Sequence, residues 1–410
     1  MLTNLKIRAS YGVTGNQEIG NYKSLSTLSS TPSDAYYTDG TNALQGYYES
    51  VGNSNLCWER TKQFDAGFDL QLIDRINLVF DYYNRNTDNL LYEVPIPSTS
   101  GYSTVLSNVG EVNNHGFEVA LNADIVRTKD WLVNFGVNYT YNTNSITKLY
   151  GDVESVTIKD GFTTTGLAAI LKVGEPVNGV YARHSMGIIK TQEELDDYVT
   201  RVPGAAGTAH IGSEMYEDVD GDGQITIKDA KCIGSIEPKH FYGLNLSVKY
   251  KQFALNVYGQ GAWDYASMAG AEDNSVNGSH WAVGYKNIGN YSLWADNDVR
   301  NVMGLPSKEA YANMFNAETN PDGTYPSAGA KGIFLSDRTN ANWAYFILKN
   351  VQLSYNFGKL INTKAIKDLT LNVNFQNFAT WANHSGYNPE NGDVSNPYAK
   401  TILFGLSAKF

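Results

Sequence analysis

Cysteine, proline and charge are all scarce in this sequence. Its 410 residues hold only two cysteines, Cys57 and Cys232, so one disulfide is the most it can form, and free or buried thiols are the simpler expectation. Charged residues make up 18% of the chain and the net charge is −11, with no basic stripe along which phosphates could be neutralised; nucleic acid is excluded as a partner. No apolar run approaches the roughly 20 residues that a membrane helix needs. The start, Met1-Leu2-Thr3-Asn4-Leu5-Lys6, lacks a basic segment followed by an apolar one, so no signal peptide is read there. The chain opens inside a strand-like stretch, Leu5 to Tyr11, as though a longer protein had preceded it.

What the chain does hold is tyrosine (28 residues), glycine (38 residues) and a steady alternation of apolar and polar side chains. Phe64, Ala66, Phe68, Leu70 and Leu72 fall on one face of an extended chain, with Asp65, Gly67, Asp69 and Gln71 on the other. Trp131 to Tyr141, Leu369 to Phe375 and Ile402 to Phe410 repeat the pattern. Side chains alternate across a strand, so each segment has one apolar and one polar side. About a dozen such strands predict an all-β, antiparallel fold.

Alternation alone is shared by soluble sandwiches and membrane barrels. Connection lengths separate them. Short turns are expected at Ile73-Asp74-Arg75, at Arg127 to Asp130 and at Lys251-Gln252, and long polar loops at 89–111, 146–176, 190–239 and 262–343. Short turns at one end and long loops at the other describe an outer-membrane barrel, and the Asn-, Gln-, Ser- and Thr-rich faces suit a watery lumen. Tracking strand direction back from Phe410 puts 190–239 and 262–343 outside the cell, while 177–190 breaks the parity unless it belongs to an external hairpin. The alternative reading is a secreted, calcium-stabilised β-sandwich acting as a carbohydrate-binding or adhesion module; a polysaccharide-cleaving β-enzyme ranks third.

Several strings, in order, resemble SusC/RagA-type TonB-dependent outer-membrane receptors. They are Leu5 to Asn16 (LKIRASYGVTGN), Trp58-Glu59-Arg60-Thr61, Pro97 to Gly101, Asn108 to Glu118, Asp218 to Gly223, Leu348 to Tyr355 and the terminal Phe410. The resemblance implies a transporter with a signal peptide, a TonB-contacting segment, a plug and a barrel of about 22 strands. It implies import of glycans or peptides together with a SusD-like surface lipoprotein, and recognition of the terminal aromatic, here Phe410, by the barrel-assembly machinery. Residues 1–410 then form the C-terminal portion of the barrel, a partial barrel in contact with membrane lipid, without plug or signal peptide.

The strongest chemical motif is Asp218-Val-Asp220-Gly-Asp222-Gly223-Gln224-Ile-Thr226-Ile-Lys-Asp229. Its spacing is that of a twelve-residue calcium loop: carboxylates at the first, third and fifth positions, glycine at the sixth for the sharp turn, a carbonyl from Gln224 and a carboxylate, Asp229, at the last. Oxygen-only ligands favour Ca²⁺ over a transition metal. The last position holds Asp in place of the usual Glu, and the bland alternative is an Asp/Gly-rich turn without an ion. Within 262–343, Trp263, Tyr265, Trp281, Tyr285 and Trp294 offer ring faces for sugar stacking, against the alternatives of a self-packed loop or an interfacial girdle. The six histidines are dispersed without metal-site spacing, and no nucleophile elbow or phosphate-cradling loop occurs, so no enzyme is predicted.

Overall fold

The structure is a computed structural model that describes all residues outside 1, 17–20, 30–35, 39–42, 46–47, 101, 103, 152, 162–166, 190, 208, 210–213, 267–335, 338–340, 359–365, 367, 384–387, 389, 391–397 and 410. In chain order the described strands begin with β1 (Leu2–Asn16), β2 (Thr27–Ser29), β3 (Tyr36–Thr38), β4 (Ala43–Gln45) and β5 (Tyr48–Ser50). Next come β6 (Glu59–Leu72), β7 (Ile76–Pro95), β8 (Thr104–Arg127), β9 (Trp131–Lys148), β10 (Ser155–Gly161), β11 (Leu167–Lys172), β12 (Gly179–Ala182) and β13 (Ser185–Ile188). Helix α1 (Gln192–Arg201) precedes β14 (Glu214–Tyr216), β15 (Lys231–Ser235), β16 (His240–Tyr250), β17 (Phe253–Tyr265), β18 (Trp343–Asn356), β19 (Asp368–Ala382) and β20 (Thr401–Lys409).

Ten of these strands form one antiparallel sheet in the order β1-β6-β7-β8-β9-β16-β17-β18-β19-β20, each beside its predecessor in the chain once the external excursions are set aside. The register aligns the apolar sides. From β1 to β16 one can step across Leu5, Leu70, Leu78, Leu121, Val137 and Leu244, and from β16 to β20 across Leu246, Val257, Val351, Phe375 and Ile402. A one-residue slip anywhere would exchange the two faces, so the hydrophobic pattern fixes the pairing. The opposite face carries a polar row: Asp124, Asn134, Ser247, Asn256, Gln352 and Asn374.

Among the described residues no second sheet packs on the apolar face. Ile7 is 77% exposed, Phe404 76% and Leu406 70%. A surface of this extent requires a nonaqueous neighbour, which overturns the sandwich alternative.

Three turns fall where the sequence placed them: β6–β7 at 73–75, β8–β9 at 128–130 and β16–β17 at 251–252, all at one end of the sheet. Ile73, Asp74 and Lys251 take positive φ there, the tight reversal that two- and three-residue hairpins require. The long connections differ from expectation. Residues 89–111 are mostly strand, because β7 runs to Pro95 and β8 starts at Thr104. The stretches 146–176, 177–190 and 190–239 are one excursion between β9 and β16, which pair directly. Its strands β10, β11, β12 and β15 make a separate four-stranded sheet and β13 pairs with β14, so the parity problem at 177–190 disappears. The excursion returns through hydrogen bonds from Asn142 N to Lys239 O and from Gly174 N to Ile146 O, both 2.8 Å. The later connection begins after Tyr265 and ends before Trp343, so both residues belong to strands.

Candidate functional site: belt, lumenal wall and external lobe

Rings collect at both ends of the apolar face. Beside the short turns, Trp131 meets Tyr250 at a centroid distance of 4.2 Å, and Phe253 meets Tyr355 at 4.5 Å. Toward the other end, Tyr141, His240, Trp263 and Tyr139 cluster, and Tyr242, Phe346 and Trp381 continue the row at 5.8 Å and 5.7 Å. Glycine makes room for this second row: a Cβ at Gly259 would lie 2.4 Å from Phe346 Cζ, and one at Gly261 would lie 2.4 Å from the Tyr242 hydroxyl. From Trp131 to Tyr141 the strand rises about 34 Å at about 3.4 Å per residue. At a tilt of about 40° that spans about 26 Å along the membrane normal, the height of the apolar band of an outer-membrane barrel. Between the two rows the face is mainly aliphatic, with Phe135 and Phe375 among Leu246, Val257 and Val351. Among the described residues no helix is long and apolar enough to cross a membrane.

The polar face carries a cavity of about 590 Å³ lined by residues that include Arg8, Gln63, Asp81, Tyr83, Arg85 and Asn142. Arg8 bridges Asp69 and Asp81 at 2.9 Å each, and the Tyr83 hydroxyl donates to Asn142 Oδ1 at 2.8 Å. Farther along the sheet, Glu390 and Tyr398, described residues between β19 and β20, meet Gln260 and Lys349 of β17 and β18. Glu390 accepts from Gln260 Nε2 at 2.9 Å, pairs with Lys349 at 2.9 Å and accepts a short hydrogen bond from the Tyr398 hydroxyl. Burial by itself raises the Glu390 carboxyl, but donation from Tyr398, Lys349 and Gln260 outweighs it and holds the group below the usual carboxylate range.

Among its described residues the external lobe has two small cores. One joins Val180, Ala182 and Ala266; the other packs Ile189, Tyr198 and Val202 beneath α1. Helix α1 starts with a capping box in which the Thr191 side chain accepts from Glu194 N and the Glu194 side chain accepts from Thr191 N. A buried polar knot fastens residues 336–337 to the lobe: Ser336 donates to Glu214 Oε1 at 3.0 Å, Asp337 N donates to Arg183 O at 3.0 Å, and Asp337 accepts from Ser185 N at 2.9 Å and pairs with His184. Burial lowers the Arg183 guanidinium and raises the Tyr216 phenol beside it. Sequence reasoning had no access to this knot or to the Glu390 cluster, because their members are far apart in the chain and no local motif marks them.

The Asp-rich loop lies in the same lobe. One oxygen each from Asp218, Asp220 and Asp222 converges within 4.8 Å. Gly221 and Gly223 take φ of +74° and +80°, which lets Gly221 N and Gly223 N donate back to the Asp218 carboxylate at 2.7 and 2.8 Å. Asp229 is placed differently. It is 1% exposed, and its carboxylate accepts from Val219 N and Thr226 N at 2.7 Å each, tying the two ends of the loop together. The structure therefore brings together the carboxylates of Asp218, Asp220 and Asp222, and the Asp229 carboxylate is not among them. Lys228 stands 3.7 Å from Asp220 and supplies part of the opposing charge.

Of the aromatic residues singled out from sequence, Trp263 lies in the upper ring row of the apolar face, stacked on His240. Tyr265 follows a register shift and is 3% exposed, packed edge-on against Trp343 and Tyr345. Trp281, Tyr285, Trp294 and Phe410 lie outside the described residues. Cys57 and Cys232 are both free thiols.

A meander of ten strands with a lipid-height apolar belt, two aromatic rows and a polar inner wall defines a segment of a transmembrane β-barrel. Comparison with known proteins agrees: residues 2–378 match the family described as TonB dependent receptor-like, beta-barrel. The chain belongs to this family of outer-membrane TonB-dependent receptors, and its barrel is of the SusC/RagA type. It is 30% identical over 433 residues to TonB-dependent receptor P3 of Formosa agariphila, covering 100% of this chain and 40% of that protein. It is 27% identical over 419 residues to TonB-dependent receptor SusC of Bacteroides thetaiotaomicron, covering 100% of this chain and 38% of that protein. The fold is similar to a structure described as the RagAB peptide transporter, with a TM-score of 0.71 at 23% identity, covering 100% of this chain and 41% of that one. The chain thus spans about two fifths of the curated relatives it matches. Those relatives are named as receptors and transporters, not enzymes.

Proposed function

We propose that this chain forms the C-terminal barrel portion of a transporter that imports glycans or peptides across the outer membrane. In this reading a SusD-like surface lipoprotein delivers the cargo, the TonB complex supplies energy through other parts of the receptor, and the barrel-assembly machinery recognises Phe410. The observation that carries it is the continuous belt bounded by two aromatic rows, which sets an amide-rich wall toward a lumen and a folded lobe above the membrane. The fold shared with a peptide transporter supports a peptide cargo; the amide-lined wall also suits glycan hydroxyls. The rings of Trp281, Tyr285 and Trp294 are assigned to cargo contact in the external connection.

The test is deletion of the gene in its host, with growth followed on a panel of single oligosaccharides and peptide mixtures. Loss of growth on one class, restored by the intact gene, is expected, and the receptor should co-purify with a surface lipoprotein. Growth equal to the parent on every source would sink the reading.

We further infer that Asp218, Asp220 and Asp222 hold a structural calcium ion in the lobe. Three converging carboxylates repel one another without a cation, and oxygen donors suit Ca²⁺. Titration of the receptor with CaCl₂ should show binding that the double variant Asp220→Ala/Asp222→Ala loses. Identical heats for both proteins would remove the ion from the account.

A further inference from the structure

The string Trp58-Glu59-Arg60-Thr61-Lys62 has no role in the transport reading, yet the register gives it one. On β6, Phe64 lies on the apolar face, so strand alternation sends Lys62, Arg60 and Trp58 out on the same side, above the belt. The Trp58 ring covers Gly15 of β1, where an added Cβ would sit 3.3 Å from Trp58 Cε3, and the indole is 60% exposed. Arg60 grips Asp88 of β7 with two hydrogen bonds, Nε to Oδ1 at 3.0 Å and Nη2 to Oδ2 at 2.7 Å, and Lys62 reaches the same carboxylate at 2.9 Å. Two cations thus share one anion and leave a net positive charge. Their side chains remain 49% and 42% exposed, while Asp88 is 17% exposed beneath them.

Beside this pair the outward face of β7 and β8 carries an amide cluster. Asn113 Nδ2 donates to Asn84 Oδ1 at 2.8 Å and to Asn86 Oδ1 at 2.7 Å, and His115 shares a 2.8 Å hydrogen bond with Asn113. Asn84 and His115 stand level with Phe64 and above Tyr82 and Phe117 of the apolar face, and Asn86 and Asn113 stand level with Lys62. Lys62 lies about 28 Å above the β6–β7 turn along the membrane normal, at about 3.4 Å per residue and about 40° of tilt. That is the headgroup level of the outer leaflet.

We propose that Trp58, Arg60 and Lys62, with the neighbouring Asn84, Asn86 and Asn113, form a docking surface for a phosphorylated glycolipid of the outer leaflet. The two cations face the phosphate, the amides face sugar hydroxyls, and Trp58 lies at the boundary between acyl chains and headgroup. The occupant is a lipid because the surface is continuous with the belt. The charge excess and the amides select an anionic, sugar-bearing head over a zwitterionic one.

The test uses the receptor purified from outer membranes in detergent, delipidated, and incubated with monophosphoryl lipid A, its dephosphorylated form, or inorganic phosphate. Bound lipid is counted by native mass spectrometry. The expected result is retention of the phosphorylated lipid, weakened about fivefold for each cation removed in Arg60→Gln and Lys62→Gln. Asp88→Asn frees both cations and should strengthen retention, a gain that a folding defect cannot mimic. Equal retention by wild type and the Arg60→Gln/Lys62→Gln variant would overturn the proposal. So would equal binding of the dephosphorylated lipid, full displacement by millimolar phosphate, or weaker retention in Asp88→Asn.

Discussion

Trp263 lies flat on His240, with ring centroids 4.5 Å apart and planes only 6° from parallel. Neither residue is in a loop: Trp263 lies near the end of β17 and His240 starts β16, and they are paired partners across the two strands. The Tyr139 hydroxyl reaches His240 Nδ1 at 2.6 Å, so the cluster keeps a polar handle among its rings. Amphipathic rings of this kind settle where hydrocarbon meets headgroup. That placement makes Trp263 a marker of the upper membrane boundary.

The assignment of faces is tested by introducing one charge on each side of β17. Val257 lies on the apolar face at mid-height and its neighbour Asn256 on the polar face. Arginine at the bilayer midplane costs about 2–4 kcal/mol on the lipid side, whereas lumenal positions tolerate charge. Val257→Arg should lower unfolding stability in phospholipid bilayers by about that amount, and Asn256→Arg should shift it little. Equal losses from the two variants would reverse or erase the sidedness.

The strands were legible in the sequence because the period-two signal is local and each face needs only its own residues. Phe64 to Leu72 and Trp131 to Tyr141 could be assigned without knowing their partners. The lobe was not legible in the same way. Its strands β12 and β13 are four residues each, too short for alternation to show, and their cores draw on Ala266 and on residues far along the chain. Spacing found the three converging aspartates, since five residues of loop place them unaided. It did not reveal the surroundings of Asp229, whose carboxylate accepts from backbone N–H groups that no spacing rule shows.

Glu390 makes its cluster with Gln260, Lys349 and Tyr398 pH-dependent. Its carboxyl lies below the ordinary value in the folded chain, so its contribution is fully present above the ordinary carboxylate value. It is lost as pH falls through the lower, folded value. Limited proteolysis between 383 and 400 should therefore be slow at neutral pH and accelerate below about pH 4. Glu390→Gln should cleave at the acid rate already at pH 7. A cleavage rate flat from pH 7 to pH 3 would show that this cluster does not hold the segment.

The two thiols should differ sharply in reactivity. Cys57 is exposed, while burial pushes the Cys232 thiol up to about 11. The thiolate is the nucleophile, so at pH 8 iodoacetamide should label Cys57 first and leave Cys232 largely unmodified until denaturant is added. Comparable labelling of both in the folded receptor would contradict the burial of the β12–β15 pair.

Asp220 and Asp229 sit in one loop but should fail in opposite ways. Asp220 Oδ1 accepts only a 3.2 Å hydrogen bond from Asp222 N, and its other oxygen faces Lys228, so its removal leaves the loop's internal bonds almost complete. Asp229→Ala instead strips the acceptors from Val219 N and Thr226 N inside the lobe, at a cost of about 1–3 kcal/mol for each group left unpaired. Without calcium, Asp229→Ala should speed hydrogen exchange at Val219 and Thr226, whereas Asp220→Ala should leave those amides protected. With calcium added, the wild-type loop should gain protection and Asp220→Ala should not. If both variants exchanged alike with and without calcium, the separation between a loop-closing carboxylate and a cation-facing one would collapse.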